Sequence, residues 1–273
     1  AGSFARPDIW QDVARTLERG KFDGLFFADT LAAFGNYRNR MDDALTHAIQ
    51  FPMHDPMLVI PMLAAVTERL GFAATFSVTY HEPYMAVRKF GTLDHLTLGR
   101  IGWNIVTSAH VNEAVNLGHE SMVPHGERYE RADEYMEVCY KLWNSWEPDA
   151  VVADKASGVF VDASKVHSIN HRGKWFSCPG ISAVEPSPQG HPVLFQAGAS
   201  EAGRDFCAKH AEAAFGVQLT TRALKSFADD MRQRLPKFGR APDSLKFIWG
   251  IQTIIGGTEE EAKRKHREFN ELV

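Results

Sequence analysis

Leu93-Asp94-His95-Leu96-Thr97-Leu98-Gly99-Arg100-Ile101-Gly102-Trp103-Asn104-Ile105-Val106-Thr107-Ser108 is the stretch from which the fold can be read. Residues 94–98 read as the end of a helix. Gly99 is its natural stop, because a left-handed residue is tolerated best without a side chain. Residues 100–106 form a short, mostly apolar run, the mark of a strand buried on both faces. The run ends on Thr107 and Ser108. Small hydroxyl residues there put hydrogen-bond donors at the C-terminal mouth of a strand, where an α/β barrel binds its ligands. They fit an ordinary turn cap equally well.

Working outward, the same alternation recurs. Residues 7–19 place Ile9, Trp10, Val13 and Leu17 at helical spacing, with Pro7 in the first turn and Gly20 as the stop. Residues 22–28 read as a buried strand ending in Asp29-Thr30. Residues 31–54 are a long polar segment with helical pieces. Asp55 as N-cap and Pro56 behind it open a helix that runs to Leu70. Residues 71–78 form a strand ending in Thr79-Tyr80, and residues 83–96 a helix. Residues 112–124 read as loop and 126–146 as a long amphipathic helix.

Further strands are expected at 193–197, 213–217 and 245–255. Helices follow to His210, over 221–238 and from Thr258, where Thr258 and Glu261 make a capping box. Residues 148–190 break the rhythm with Gly, Pro, Ser and short β-like pieces such as Lys174-Trp175-Phe176. They read as an insertion, a hairpin with loop, lying over the mouth. Six strands alternating with helices mean a parallel α/β sheet. Asp29, Thr79, Ser108 and Ser200 each follow a strand, so they converge on one face. A closed (β/α)8 barrel needs eight strands. Either two lie outside this chain, or the sheet is open and doubly wound.

The bulk numbers narrow the class. A chain of 273 residues is long enough for one large domain, and 44% hydrophobic with 23% charged residues is ordinary for a globular enzyme. A net charge of -4 gives no reason to expect nucleic acid or an anionic membrane as partner. No apolar run reaches the roughly 18 residues of a membrane span. Cys139, Cys178 and Cys207 are odd in number and far apart, so no disulfide framework is expected and a reducing cytoplasm is the expected setting. There is no G-x-G-x-x-G after a strand and no G-x-S-x-G elbow. Gly198 to Gly203 has P-loop glycine spacing but lacks the Lys-Ser/Thr. His167 and His171 lack an accompanying acidic pattern, so no metal site is expected.

Longer blocks carry a resemblance. Leu93-Asp94-His95-Leu96, the run from Gly99 to Ser108, and His125-Gly126-Glu127-Arg128-Tyr129-Glu130-Arg131-Ala132-Asp133-Glu134 resemble flavin-dependent monooxygenases of the bacterial luciferase superfamily. So do Glu18-Arg19-Gly20-Lys21-Phe22-Asp23, Trp143-Asn144-Ser145-Trp146-Glu147, Ser164-Lys165-Val166-His167 and Gln196-Ala197-Gly198-Ala199-Ser200. The nearer branch holds nitrilotriacetate monooxygenase component A and the dibenzothiophene-sulfone, dimethyl-sulfide and long-chain alkane monooxygenases. The resemblance covers the whole chain. It implies a TIM-type (β/α)8 barrel with an insertion, forming one domain over residues 1–273. It also implies that this chain lacks the first and last strands of that barrel.

The resemblance further implies a two-component oxygenase. Reduced FMN (FMNH2) comes from a separate NAD(P)H-dependent reductase, and one atom of O2 passes to a small organic substrate. A homo-oligomer is implied as well. Asp29 matches a flavin contact, Thr79 a hydroxyl near the ring, and Ser108 a contact at the end of its strand. Ser200 opens a helix and matches a phosphate contact. His125 and Tyr129 match a pair near the phosphate and ribityl chain. Without the family, Asp29 reads as a helix cap, Tyr129 as packing and His125 as a cap. Gln50 matches a position of the substrate pocket. Phe34 stands where the alkane enzyme has a tyrosine, and Ala109 where it has a histidine, with His110 adjacent. Two other readings keep the fold: an F420-dependent oxidoreductase, disfavoured by Ser200, His125 and Tyr129, and a catalytically inactive flavin-binding homologue.

Overall fold

The computed structural model describes residues 5–33, 35 and 40–271. Its frame is a parallel sheet of β1 (Gly24–Phe27), β2 (Gly71–Ser77), β3 (Ile101–Val106), β8 (Val193–Gln196), β9 (Ala213–Gly216) and β10 (Lys246–Trp249), paired in that order. The order is monotonic, so the chain winds in one direction only. That removes the doubly wound alternative. A flat sheet would hold strands four places apart at about 19 Å. Yet Phe26 of β1 stacks on Phe215 of β9 with ring centroids 5.3 Å apart, and meets Phe195 of β8 at 6.1 Å. The sheet is therefore curled into a partial barrel, with these rings inside it.

Helices cover the convex side: α1 (Pro7–Arg19), α3 (Pro56–Ala64), α4 (Pro83–Leu96), α6 (His125–Trp143), α7 (Glu201–His210) and α8 (Thr221–Arg234). α2 (Asp42–Thr46) and α5 (Val111–Asn116) are single turns in the loops, and α9 (Glu259–Asn270) ends the described chain. The core lies between sheet and helices. Trp103 is fully buried, stacks on Phe90 of α4 at 4.8 Å and donates from Nε1 to the Phe76 carbonyl at 3.0 Å. Tyr135 of α6 closes the layer at 6.1 Å from Trp103. α4 ends at Leu96, and the left-handed turn behind it begins at Leu98 (φ +54°) and continues through Gly99 (φ +80°), so the helix stops short of the expected Leu98–Gly99 boundary.

Several expectations change; the strand expected over 245–255, for one, stops at Trp249. α3 stops at Ala64, not at Leu70. Two side chains from elsewhere pin the residues beyond it. Glu18 Oε1 accepts the N–H groups of Glu68, Arg69 and Leu70, and Arg100 donates to the carbonyls of Ala64 and Leu70. Residues 112–124 are not all loop, since α5 lies within residues 111–116. The segment 148–190 forms two short hairpins, β4 (Val151–Asp154) with β5 (Val159–Val161) and β6 (His171–Arg172) with β7 (Ser177–Cys178). It is fastened to α6 and α4 and does not lie over the mouth. Glu134 of α6 accepts from the N–H groups of Trp175 and Phe176 and pairs with His171 Nε2 at 3.2 Å. Asp94 of α4 accepts from Gln189 Nε2 at 2.6 Å. Among the described residues, no helix is long and apolar enough to cross a membrane.

Candidate active site

Parallel strands deliver their following loops to one end of the sheet. There the loops enclose a cavity of about 430 Å3, lined among others by Asp29, Gln50, Ser108, His110, Glu113, His125, Tyr129 and Ser200. Seven of these eight were expected from the sequence; Glu113 was not. Thr79 is not part of the lining. Its hydroxyl donates to the Thr107 carbonyl at 2.7 Å, so it shapes the loop that carries Ser108. Phe34 lies outside the described residues. Ala109 does line the cavity.

One side of the cavity is the start of α7. Ser200 is its N-cap, with Oγ accepting from the Gly203 N–H at 3.1 Å. Ser200 Oγ also hydrogen-bonds His125 Nε2 at 3.2 Å. The His125 and Tyr129 rings lie 5.1 Å apart, one turn of α6 from each other. Backbone closeness is built in by glycine. A Cβ on Gly198 would stand 2.7 Å from the backbone of Gly203, and a Cβ on Gly203 would stand 2.8 Å from Tyr129 Oη. The first turn of an α-helix leaves N–H groups without internal acceptors and a positive dipole end.

The opposite side is carboxylate-rich. Burial, with the nearby charges of Asp55 and Glu113 adding to it, pushes the Asp29 carboxyl up to about 6 against a hydrogen bond from the Thr30 N–H. Between the two sides sits Ser108, with φ +53° in the left-handed region. Its Oγ shares a hydrogen bond of 3.0 Å with Ser77 Oγ of β2. A serine held in that region at a cavity wall is local strain kept in place by its surroundings.

The luciferase-like monooxygenase family profile matches residues 5–272. The chain belongs to this family. Long-chain alkane monooxygenase from Geobacillus thermodenitrificans is 49% identical over 263 residues, 96% of this chain and 60% of that protein. A crystal structure of a long-chain alkane monooxygenase superposes with a TM-score of 0.94 at 48% identity, covering 98% of this chain and 62% of the other. Dimethyl-sulfide monooxygenase from Hyphomicrobium sulfonivorans is 46% identical over 96% of this chain and 55% of its own length. A riboflavin lyase, solved with modified FMN and riboflavin, matches with a TM-score of 0.91 and 38% identity, over 97% of this chain and 59% of its own. This luciferase-like chain thus spans about three fifths of the length of the curated relatives it matches.

Two residues that matter to the site carried no signal of their own in the sequence. Glu113 sits on the one-turn helix α5, too short to show a period. Arg128 reads as one more charge in the run Glu127 to Arg131, yet it is buried beneath the Thr107–Ser108 loop.

Proposed function

We propose that this chain is the flavin-binding part of a two-component monooxygenase. Reduced FMN, supplied by a separate NAD(P)H-dependent flavin reductase, is held at the mouth, and one atom of O2 passes to a small organic substrate. One observation carries the reading: Asp29, Ser108, His125, Tyr129 and Ser200, from separate loops and helix ends, line a single cavity at the C-terminal ends of the strands. Family membership, the monooxygenase relatives and the riboflavin lyase solved with modified FMN support it.

The donor set fits a flavin mononucleotide. Ser200, His125, Tyr129 and the first N–H groups of α7 suit its phosphate, in chemistry and in the sign of the helix dipole. Gly198 and Gly203 let the backbone close without a side chain in the way. Asp29 accepts a hydrogen bond from the ring or the ribityl chain, and Ser108 offers a hydroxyl on the neighbouring loop. Bound reduced flavin supplies the electrons that activate O2. Gln50 and His110 line the same cavity and are assigned to the substrate. With Phe34 and Ala109 replacing two polar groups of the alkane enzyme's pocket, the substrate is expected to differ from that enzyme's.

Anaerobic titration of the chain with reduced FMN, riboflavin and F420 tests the reading. FMN is expected to bind clearly tighter than riboflavin, and F420 weakly. Failure of all three to bind would sink it. A flavin reductase and O2 then separate an oxygenase from an inactive homologue, because only the oxygenase consumes O2 in step with a substrate.

A further inference from the structure

Three buried polar atoms lack hydrogen-bond partners among the described residues at this end of the sheet: Tyr80 Oη, Glu113 Oε2 and Arg128 Nε. Glu113 is 4% exposed and Arg128 6%. Buried charge is unfavourable unless its hydrogen-bonding capacity is used. Each of these two charges uses what remains on a different wall of the cavity. Glu113 Oε1 accepts from Thr30 Oγ1 at 3.2 Å and from the Leu31 N–H at 3.1 Å. Asn116, also on α5, donates to the Leu31 carbonyl at 3.0 Å. α5 thereby holds the loop that follows Asp29.

Arg128 Nη1 donates to the Thr107 carbonyl at 3.3 Å and also to the Ser108 carbonyl. α6 thereby holds the loop after β3, where Ser108 sits in its left-handed conformation. The Tyr80 hydroxyl lies within reach of both charges: burial and Glu113 raise its pKa, and Arg128 lowers it. The two opposite charges thus act on one buried hydroxyl while each grips a different wall.

We propose that Glu113 and Arg128 are positioning residues, a buried pair of opposite charges that fixes the Asp29–Thr30 and Thr107–Ser108 loops relative to each other beside the flavin ring. The inference rests on the flavin reading above. Neither residue has to touch the flavin. Both act on the walls beside the ring, and neither acts on the phosphate end built from Ser200 and His125.

The test uses Glu113→Gln, Arg128→Gln, Arg128→Lys and the double Gln variant. FMN and riboflavin are titrated by quenching of flavin fluorescence, and thermal unfolding is followed without flavin. Each Gln variant is expected to weaken both flavins by the same factor, about tenfold, with the preference for FMN over riboflavin intact. The double variant is expected to be little worse than the weaker single, because the two walls act as one unit. Arg128→Lys should recover part of the loss, since an ammonium still reaches one carbonyl. Wild-type affinity in both Gln variants would overturn the proposal. So would loss of the FMN preference in step with a lower unfolding temperature, the signature of a generally loosened site. If the unaltered chain binds neither flavin, the flavin reading itself fails, a result recognisable before any variant is made.

Discussion

The concave side of the curled sheet carries two cavities, and they differ in how their polar groups are used. The base, at the N-terminal ends of the strands, encloses about 590 Å3 lined by Phe22, Phe26, Phe72, Phe195, Phe215 and Ile248 among others. Two of its polar side chains, Arg100 and Gln189, are fully committed. Arg100 donates to the carbonyls of Thr97, Leu70 and Ala64 and to Thr67 Oγ1, all within 3.1 Å. Gln189 bridges Asp94 and the Ile101 carbonyl. The mouth is smaller, about 430 Å3, and several of its polar residues are perturbed or incompletely hydrogen-bonded. Asp29 has a raised pKa, Ser108 a left-handed backbone, and Glu113 an oxygen without a hydrogen-bond partner among the described residues. Size alone would have pointed to the base. The state of the polar groups points to the mouth, because saturated groups hold a fold while unsaturated ones remain available to a ligand.

The sharpest way to break this contrast is at Arg100. Arg100→Ala strips four hydrogen bonds, three of them to carbonyls at the base. The expected cost is about 3 kcal/mol of folding stability, a fall of roughly 5–10 °C in Tm. FMN affinity measured below the transition should stay within a factor of two or so, since the mouth is untouched. A large loss of FMN affinity without a change in Tm would reverse the roles given to the two ends.

Ser200→Asp probes the mouth. Aspartate caps a helix as well as serine does, so α7 should persist. Two like charges about 4 Å apart repel by ~4 kcal/mol at an effective dielectric constant near 20. Solvent at the open mouth reduces this to ~2 kcal/mol, about thirtyfold in Kd for FMN. Riboflavin lacks the phosphate and should lose little. Equal losses for both flavins would remove the phosphate from this end of the cavity.

What could be read from the sequence follows how local each feature is. The Pro83 start and the Ser200 and Thr258 caps depend on neighbours a few residues away, and the structure places each where it was expected. The convergence of Asp29, Ser108 and Ser200 follows from parallel strands alone. Features set by distant partners were not legible. α3 looked longer because nothing near Ala64 announces that Glu18 and Arg100 will seize residues 64–70. The segment 148–190 looked like a cover because its anchors, Glu134 and Asp94, lie on helices outside it. Glu113 and Arg128 escaped notice for the same reason: their roles exist only once α5 and α6 have closed over two loops.

The smallest effect sharpens the comparison at a single carboxyl. Burial, with Asp55 and Glu113 nearby, raises Asp29 from its ordinary 3.8 to about 6. A raised folded pKa means the folded state prefers the proton. That stability is fully present below about pH 4 and is lost as pH rises through about 6. Asparagine carries no charge at any pH. Asp29→Asn should therefore leave folding stability unchanged near pH 4 and raise it at pH 7.5, by about 1 kcal/mol once solvent at the open side is allowed for. Binding of riboflavin, which has no phosphate to titrate near pH 6, should move the other way, because the ionised carboxylate is the acceptor: wild-type affinity should rise with pH through about 6, and the variant should show a flat, weaker profile. A carboxyl that costs stability and improves binding over the same pH interval is what separates the mouth from the base. If Asp29→Asn leaves both profiles unchanged, Asp29 is an ordinary loop residue and the contrast between the two ends loses its clearest instance.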